Sequence, residues 1–111
     1  MTELELTITV YLKNHCRGKE NAKHFKDLAE HFDLNERELR SIVSDLVTSG
    51  QACICSTSHD GYFYKSNNDE LMHTYKELRS RGLKDLMRAR GLLRADIKEN
   101  QIEKLEQLVM M

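Results

Sequence analysis

Proline and tryptophan are absent from this sequence, and its 111 residues contain only five glycines and three cysteines. Without proline nothing in the chain forbids long helices, and a proline-stiffened linker is excluded. Three cysteines are an odd number and too few for a disulfide framework, which points to a reducing, cytoplasmic setting. Long apolar runs are missing too. The most apolar stretch, residues 4–12, carries Glu5, Thr7 and Thr9 and is too short to cross a bilayer. The opening MTELEL is acidic and lacks the basic flank of a signal or transit peptide, so none is expected. Charge of one sign is also lacking: 17 basic residues face 18 acidic ones, net −1, and the total names no partner.

What is present is a helix-leaning, core-forming composition, 40% hydrophobic and 32% charged. The length suits one domain with an appendage, expected as residues 1–66 and 67–111. Residues 4–12 read both ways. Leu4, Leu6, Ile8, Val10 and Leu12 alternate as in a half-buried strand, while Leu4, Ile8, Tyr11, Leu12 and His15 share a helical face. Residues 17–21 read as a polar loop. From Asn21, a candidate N-cap, Ala22, Phe25, Leu28, Ala29 and Phe32 fall at helical spacing. Asp33-Leu34 interrupts the period. Asn35 restarts it with Glu38 three residues on, a capping-box spacing, and Leu39, Ile42, Val43, Leu46 and Val47 form the next stripe up to a C-cap glycine, Gly50. Two strand-like runs follow, 52–56 and 62–65, joined across Asp60-Gly61 as in a hairpin. A long amphipathic helix is predicted over 66–93 with Leu71, Tyr75, Leu78, Gly82, Leu86, Ala89 and Leu93 on one stripe. Asp96 and Glu99 then predict the start of a separate last helix bearing Ile102, Leu105 and Val109.

The segment 28–43, LAEHFDLNERELRSIV, resembles the helix-turn-helix signature. Leu28 and Phe32 match its first helix, Ala29 the small crossing position, Leu34 the plug after the turn, and Leu39 and Ile42 the inner face of the second helix. Asp33 stands where the signature usually has Gly, a mild departure because Asp tolerates the left-handed region. With the hairpin that follows, the chain resembles the winged helix-turn-helix superfamily. That resemblance implies a mainly α fold with a small β-hairpin and a helix over residues 4–16, to which the apolar stripe beyond residue 66 adds an expected C-terminal helical dimerisation extension. It speaks to fold more firmly than to function.

The resemblance further implies binding to double-stranded DNA, with the helix after Asp33 in the major groove. Asn35, Arg37, Arg40, Ser41, Ser44 and Thr48 are the expected outward positions. Arginines suit guanine edges, asparagine suits adenine, and the hydroxyls suit bases or phosphates. Residues 35–50 nonetheless carry a net −1. Positive charge lies in residues 13–26, net +4, where Lys19, Lys23 and Lys26 are candidate phosphate contacts, and in residues 76–94, net +5, which read equally as a solvated helix face. His59 sits at the tip of the wing. The stripe Leu71–Leu93 either pairs with a second copy, giving a homodimer, or is covered by the last helix folding back.

Cys53 and Cys55 share a strand face, but with Cys16 and five histidines they show no CxxC or HxxxH spacing, so no metal or cofactor is expected. No nucleophile elbow or phosphate loop appears either, and an enzyme is not expected. The function expected is that of a small transcriptional regulator or replication accessory, similar to regulators of microbes and their phages. A winged-helix module that binds or inhibits a partner protein is the alternative.

Overall fold

In the computed structural model, residues 1–57, 59 and 61–110 are described. The order of elements is α1 (Glu3–His15), a 3-10 turn (Lys19–Asn21), β1 (Lys23–His24), α2 (Phe25–His31), α3 (Glu36–Thr48), β2 (Ile54–Ser56), β3 (Gly61–Tyr64) and α4 (Asn68–Met110). The protein is therefore mainly helical with a small antiparallel sheet. None of these helices is long and apolar enough to cross a membrane among the described residues.

Residues 3–15 are helical because their N-terminus is capped. Thr2 Oγ1 accepts from the Glu5 N–H at 3.1 Å and donates to the Glu5 carboxylate at 3.0 Å. The β-branched Thr7 and Thr9, which favour a strand on propensity, return their hydroxyls to the carbonyls of Glu3 and Glu5 at 2.8 Å. Helical spacing buries Ile8, Thr9 and Leu12 and leaves Leu4, Leu6 and Val10 exposed, so the alternation of period two is coincidental.

The helix pair is joined as its sequence suggests. At the end of α2, Leu34 N–H donates to Ala29 O (2.9 Å) and Asp33 N–H to Glu30 O (3.2 Å), a Schellman arrangement with Asp33 at φ 56°. α3 ends in the same arrangement, Gln51 N–H to Leu46 O and Gly50 N–H to Val47 O, with Gly50 at φ 74°. Between these ends Leu39, Val43 and Leu46 face inward onto Leu28, Ala29, Ile8 and Leu12, with Phe32, Leu34 and Ile42 packed around them.

Two expectations are corrected here. The segment before α2 is neither a plain loop nor the start of that helix. Residues 19–21 form a 3-10 turn, Lys23–His24 form β1, and α2 starts at Phe25 behind a His24 cap, whose Nδ1 accepts from the Lys26 N–H at 3.2 Å. Ala22 and Asn21 thus lie outside the helix. β1 joins β3, giving the sheet order β1-β3-β2 with Lys23 opposite Tyr62 and Cys55 opposite Phe63, so the hairpin is extended by a third strand. The hairpin closes through Thr57 N–H to Gly61 O at 2.8 Å, and the turn residues Ser58 and Asp60 lie outside the described residues.

The second correction concerns the C-terminus. No separate helix opens at Asp96; α4 is one helix of 43 residues. An uninterrupted helix cannot return along itself, which removes the fold-back of the last helix over the stripe. The chain divides into two compact units, Met1–Tyr75 and Lys76–Met111, so the first turns of α4 belong to the first. They are tied in by Glu70. Its carboxylate accepts from Lys19 N–H, Ser66 N–H and Ser66 Oγ, each at 2.8 Å, and Asn67 caps the helix by accepting from Glu70 N–H at 2.9 Å.

Two outcomes follow from these geometries. Asp33→Gly removes a side chain from a left-handed residue and should raise stability by about 0.5–1 kcal/mol in chemical denaturation. Glu70 is held below the ordinary carboxylate value of 4.5, chiefly by the backbone N–H groups of Ser66 and Lys19. Its contribution is therefore present above the unfolded-state pKa and lost as pH falls through the lowered native value. Glu70→Gln should cost about 1 kcal/mol at neutral pH, given its partial exposure. The same variant should lose less stability than the wild type between neutral and acid pH.

Candidate nucleic-acid interface

The outward face of α3 is set by its inward one. With Leu39, Val43 and Leu46 buried, Arg37, Ser41, Ser44 and Thr48 recur at four, three and four residues and form one exposed stripe opposite the core. This stripe presents a guanidinium near one end followed by three hydroxyls. Asp45 flanks it, and Glu36 and Glu38 lie in the first turn, where acidic side chains suit the helix N-terminus.

Arg40 lies at the edge of the stripe and is braced. Its guanidinium carbon sits 4.1 Å from the centre of the Phe25 ring, and the His24 ring stacks on the other aromatic at 4.5 Å between centroids. Phe25 is the first residue of α2 and is itself buried, so this stack links α3 to the β1–α2 junction. Arg40 is exposed and its hydrogen-bonding edge is available to a ligand only in directions compatible with the ring beneath it. Asn35 is the N-cap that its spacing to Glu38 predicts. Its Oδ1 accepts from Glu38 N–H at 2.8 Å and its Nδ2 donates to the Glu38 carboxylate, so both polar ends serve the cap of α3.

The three lysines sit on three successive elements. Lys19 is in the 3-10 turn, Lys23 in β1 and Lys26 in the first turn of α2, and all three are exposed. Lys23 is engaged within the protein: its Nζ donates to Tyr11 Oη at 2.6 Å and lies 5.0 Å from that ring's centre. The hydrogen bond to Tyr11 raises the Lys23 pKa above its ordinary 10.5, so it remains a cation at neutral pH. Tyr11 is the hub of a cluster that sequence reading did not single out, touching His15, His31 and Phe32 with ring centroids 4.8, 4.4 and 5.3 Å away. Nothing in the one-dimensional pattern pairs residue 11 with residues 23 and 31. His59, between β2 and β3, is exposed and donates its N–H to Thr57 Oγ1 at 3.4 Å.

Burial raises the pKa of the Cys16 and Cys55 thiols, which are core fillers rather than reactive groups. Cys55 Sγ lies 4.0 Å from the Glu70 carbonyl, and the buried Thr74 hydroxyl has no conventional hydrogen-bond partner among the described residues. No group of three or more His, Cys, Asp or Glu side chains is placed to hold a metal among the described residues.

On α4 the expected pairing positions are largely open to solvent. Tyr75 is 51% exposed, Leu78 49%, Leu86 62% and Leu93 67%, and Gly82 and Ala89 are exposed between them. Leu71 differs: it lies in the first unit and is half-buried there.

Comparison with protein families, with curated proteins and with solved structures finds no match to this chain.

The capping role of Asn35 has a direct check. Asn35→Ala should lower stability by about 1 kcal/mol in a urea titration, and Asn35→Ser, which retains a capping oxygen, by a few tenths.

Proposed function

We propose that this chain is a winged helix-turn-helix protein that binds double-stranded DNA and acts as a homodimer in transcriptional regulation or replication. The observation that carries the reading is the exposed stripe of α3. Arg37, Ser41, Ser44 and Thr48 stand clear of the core on a helix held from behind by α1 and α2, after a left-handed turn at Asp33. The order of helix, helix, helix and hairpin agrees with the resemblance, and β1, the strand entering α2, pairs with β3 of that hairpin.

Within this reading the contacts divide by chemistry. Arg37 is the principal base reader, since a guanidinium matches the O6 and N7 of guanine bidentately. Arg40 contributes from its stack on Phe25, and the hydroxyls of Ser41, Ser44 and Thr48 bond bases or phosphates. Asn35 caps the helix, and any contact from it to adenine competes with that cap. Lys19 and Lys26 hold phosphates and position the duplex without reading it. Lys23 joins them only if it leaves Tyr11. His59 approaches the duplex from the wing.

The net −1 of residues 35–50 favours the second reading, docking of α3 onto a partner protein with basic character. The two separate on salt. In a mobility-shift titration with duplex DNA, about four phosphate contacts give a log–log salt slope near −3 to −4. Arg37→Ala should cost about 1–3 kcal/mol at a preferred site and relax preference there. Lys26→Gln should instead weaken all sequences about equally and reduce the slope by about 1. Absence of any DNA binding at low salt overturns the DNA reading and leaves the partner protein.

A further inference from the structure

The apolar stripe of α4 has a period that distinguishes it from an ordinary heptad seam. From Leu71 to Ile97 it steps by four, three and four residues and then repeats, so that Leu71, Gly82 and Leu93 share one position of the period and Tyr75, Leu86 and Ile97 another. An 11-residue repeat corresponds to about 3.67 residues per turn, close enough to the straight helix to hold the stripe on one line with a slight right-handed supercoil. Gly82 lies on the midline, where an added Cβ would meet nothing of its own chain. Beyond Ile97 the next positions of the series are Asn100 and Lys104, so the apolar seam stops there.

The same period organises the charges. Arg79 and Arg90 lie 11 residues apart along one edge of the stripe, and Asp85 and Asp96 lie 11 residues apart along the other. One edge is therefore basic and the other acidic at the level of the seam.

We propose that residues 75–97 of α4 pair with the same residues of a second copy of this chain, parallel and in register. The inference deepens the homodimer of the proposed function and rests on it. A parallel two-fold arrangement brings unlike edges together, and Asp85 meets Arg90 of the partner subunit, five residues further along, with the symmetric contact alongside. An antiparallel arrangement brings like edges together, arginine to arginine and aspartate to aspartate, which flanking charges select against. Exposure of Leu78, Leu86 and Leu93 on a continuous helix leaves the seam for such a partner to cover. Gly82 on the midline and Ala89 beside it let the two backbones approach.

The test is sedimentation equilibrium of the full chain without DNA, at low salt, with circular dichroism to confirm helical content. Wild type should be a dimer at micromolar concentration. Arg90→Asp sets carboxylates against each other at both symmetric contacts, and should raise the dimer dissociation constant roughly tenfold. Asp85→Arg sets guanidiniums against each other with a similar result, although Asp85 also lies 3.8 Å from Arg88 of its own helix, so Arg90→Asp is the simpler variant. The combined swap, Asp85→Arg with Arg90→Asp, should return the constant to within about threefold of wild type. If both single variants and the swap associate as wild type does, the parallel register is wrong. If the wild-type chain is monomeric or a higher oligomer, the two-fold seam is wrong. DNA binding is read separately: a monomer that shifts DNA overturns the pairing alone, and a dimer that shifts none overturns the DNA reading alone.

Discussion

Backbone pairing to β3 is the constraint on which the first unit depends. Tyr64 N–H donates to Cys16 O and Tyr64 O accepts from Gly18 N–H, both at 2.8 Å, so the chain leaving α1 is clamped to the end of this strand. β1 and β2 take its two edges, and the short segment after Tyr64 leads directly into α4. Gly18 makes the clamp possible: its φ of 85° and buried position suit a residue without a side chain, as a Cβ there would press on Ser66 Oγ at 3.3 Å. One strand of four residues therefore positions the exit of α1, the entry of α2 and the entry of α4. The helix pair is held at the same time by the core that Ile8, Leu12, Leu28, Leu39 and Leu46 share.

That arrangement places competing demands on α3. Its first turn carries Glu36 and Glu38, which favour the helix terminus and its cap, and the same charges oppose a phosphate nearby. A DNA-binding role for this surface consequently draws its attraction from other elements, the 3-10 turn, β1 and the start of α2, while α3 supplies shape and hydrogen bonding. Arg40 belongs to both sides of this division. Stacked on Phe25, it is part of the packing between α3 and the β1–α2 junction, and with Arg37 it is one of the two basic residues of α3.

α4 poses a different physical problem. A helix in a protein draws most of its stability from packing an amphipathic face rather than from propensity. The first turns of α4 gain contacts through Glu70, Leu71 and Thr74, and from Tyr75 onward the large apolar side chains among the described residues are open to solvent. The parallel partner proposed for residues 75–97 would supply the missing face there. The apolar group Ile102, Leu105 and Val109 lies on another side of the same helix, because the sequence departs from the 11-residue step after Ile97.

Local chemistry was legible in the sequence wherever a residue acts on its own neighbours. The Asn35–Glu38 cap, the left-handed residues Asp33 and Gly50, the buried face of α3 and the hairpin strands all follow from spacings of a few residues. The Thr2–Glu5 cap was equally local, and it decides for a helix where the alternation of Leu4, Leu6 and Ile8 suggested a strand as readily. Asp96 and Glu99 show the reverse: a capping spacing inside a helix is harmless when no left-handed or proline residue ends the preceding turn, so α4 runs through. Tertiary structure alone decided what depends on residues far apart. β1 is two residues long and carries no strand signal; it exists because β3 offers an unpaired edge. Lys23 on Tyr11, Arg40 on Phe25 and Glu70 on Lys19 are contacts across 12, 15 and 51 positions. Their partners are fixed by packing, which a linear pattern of periods and caps does not encode.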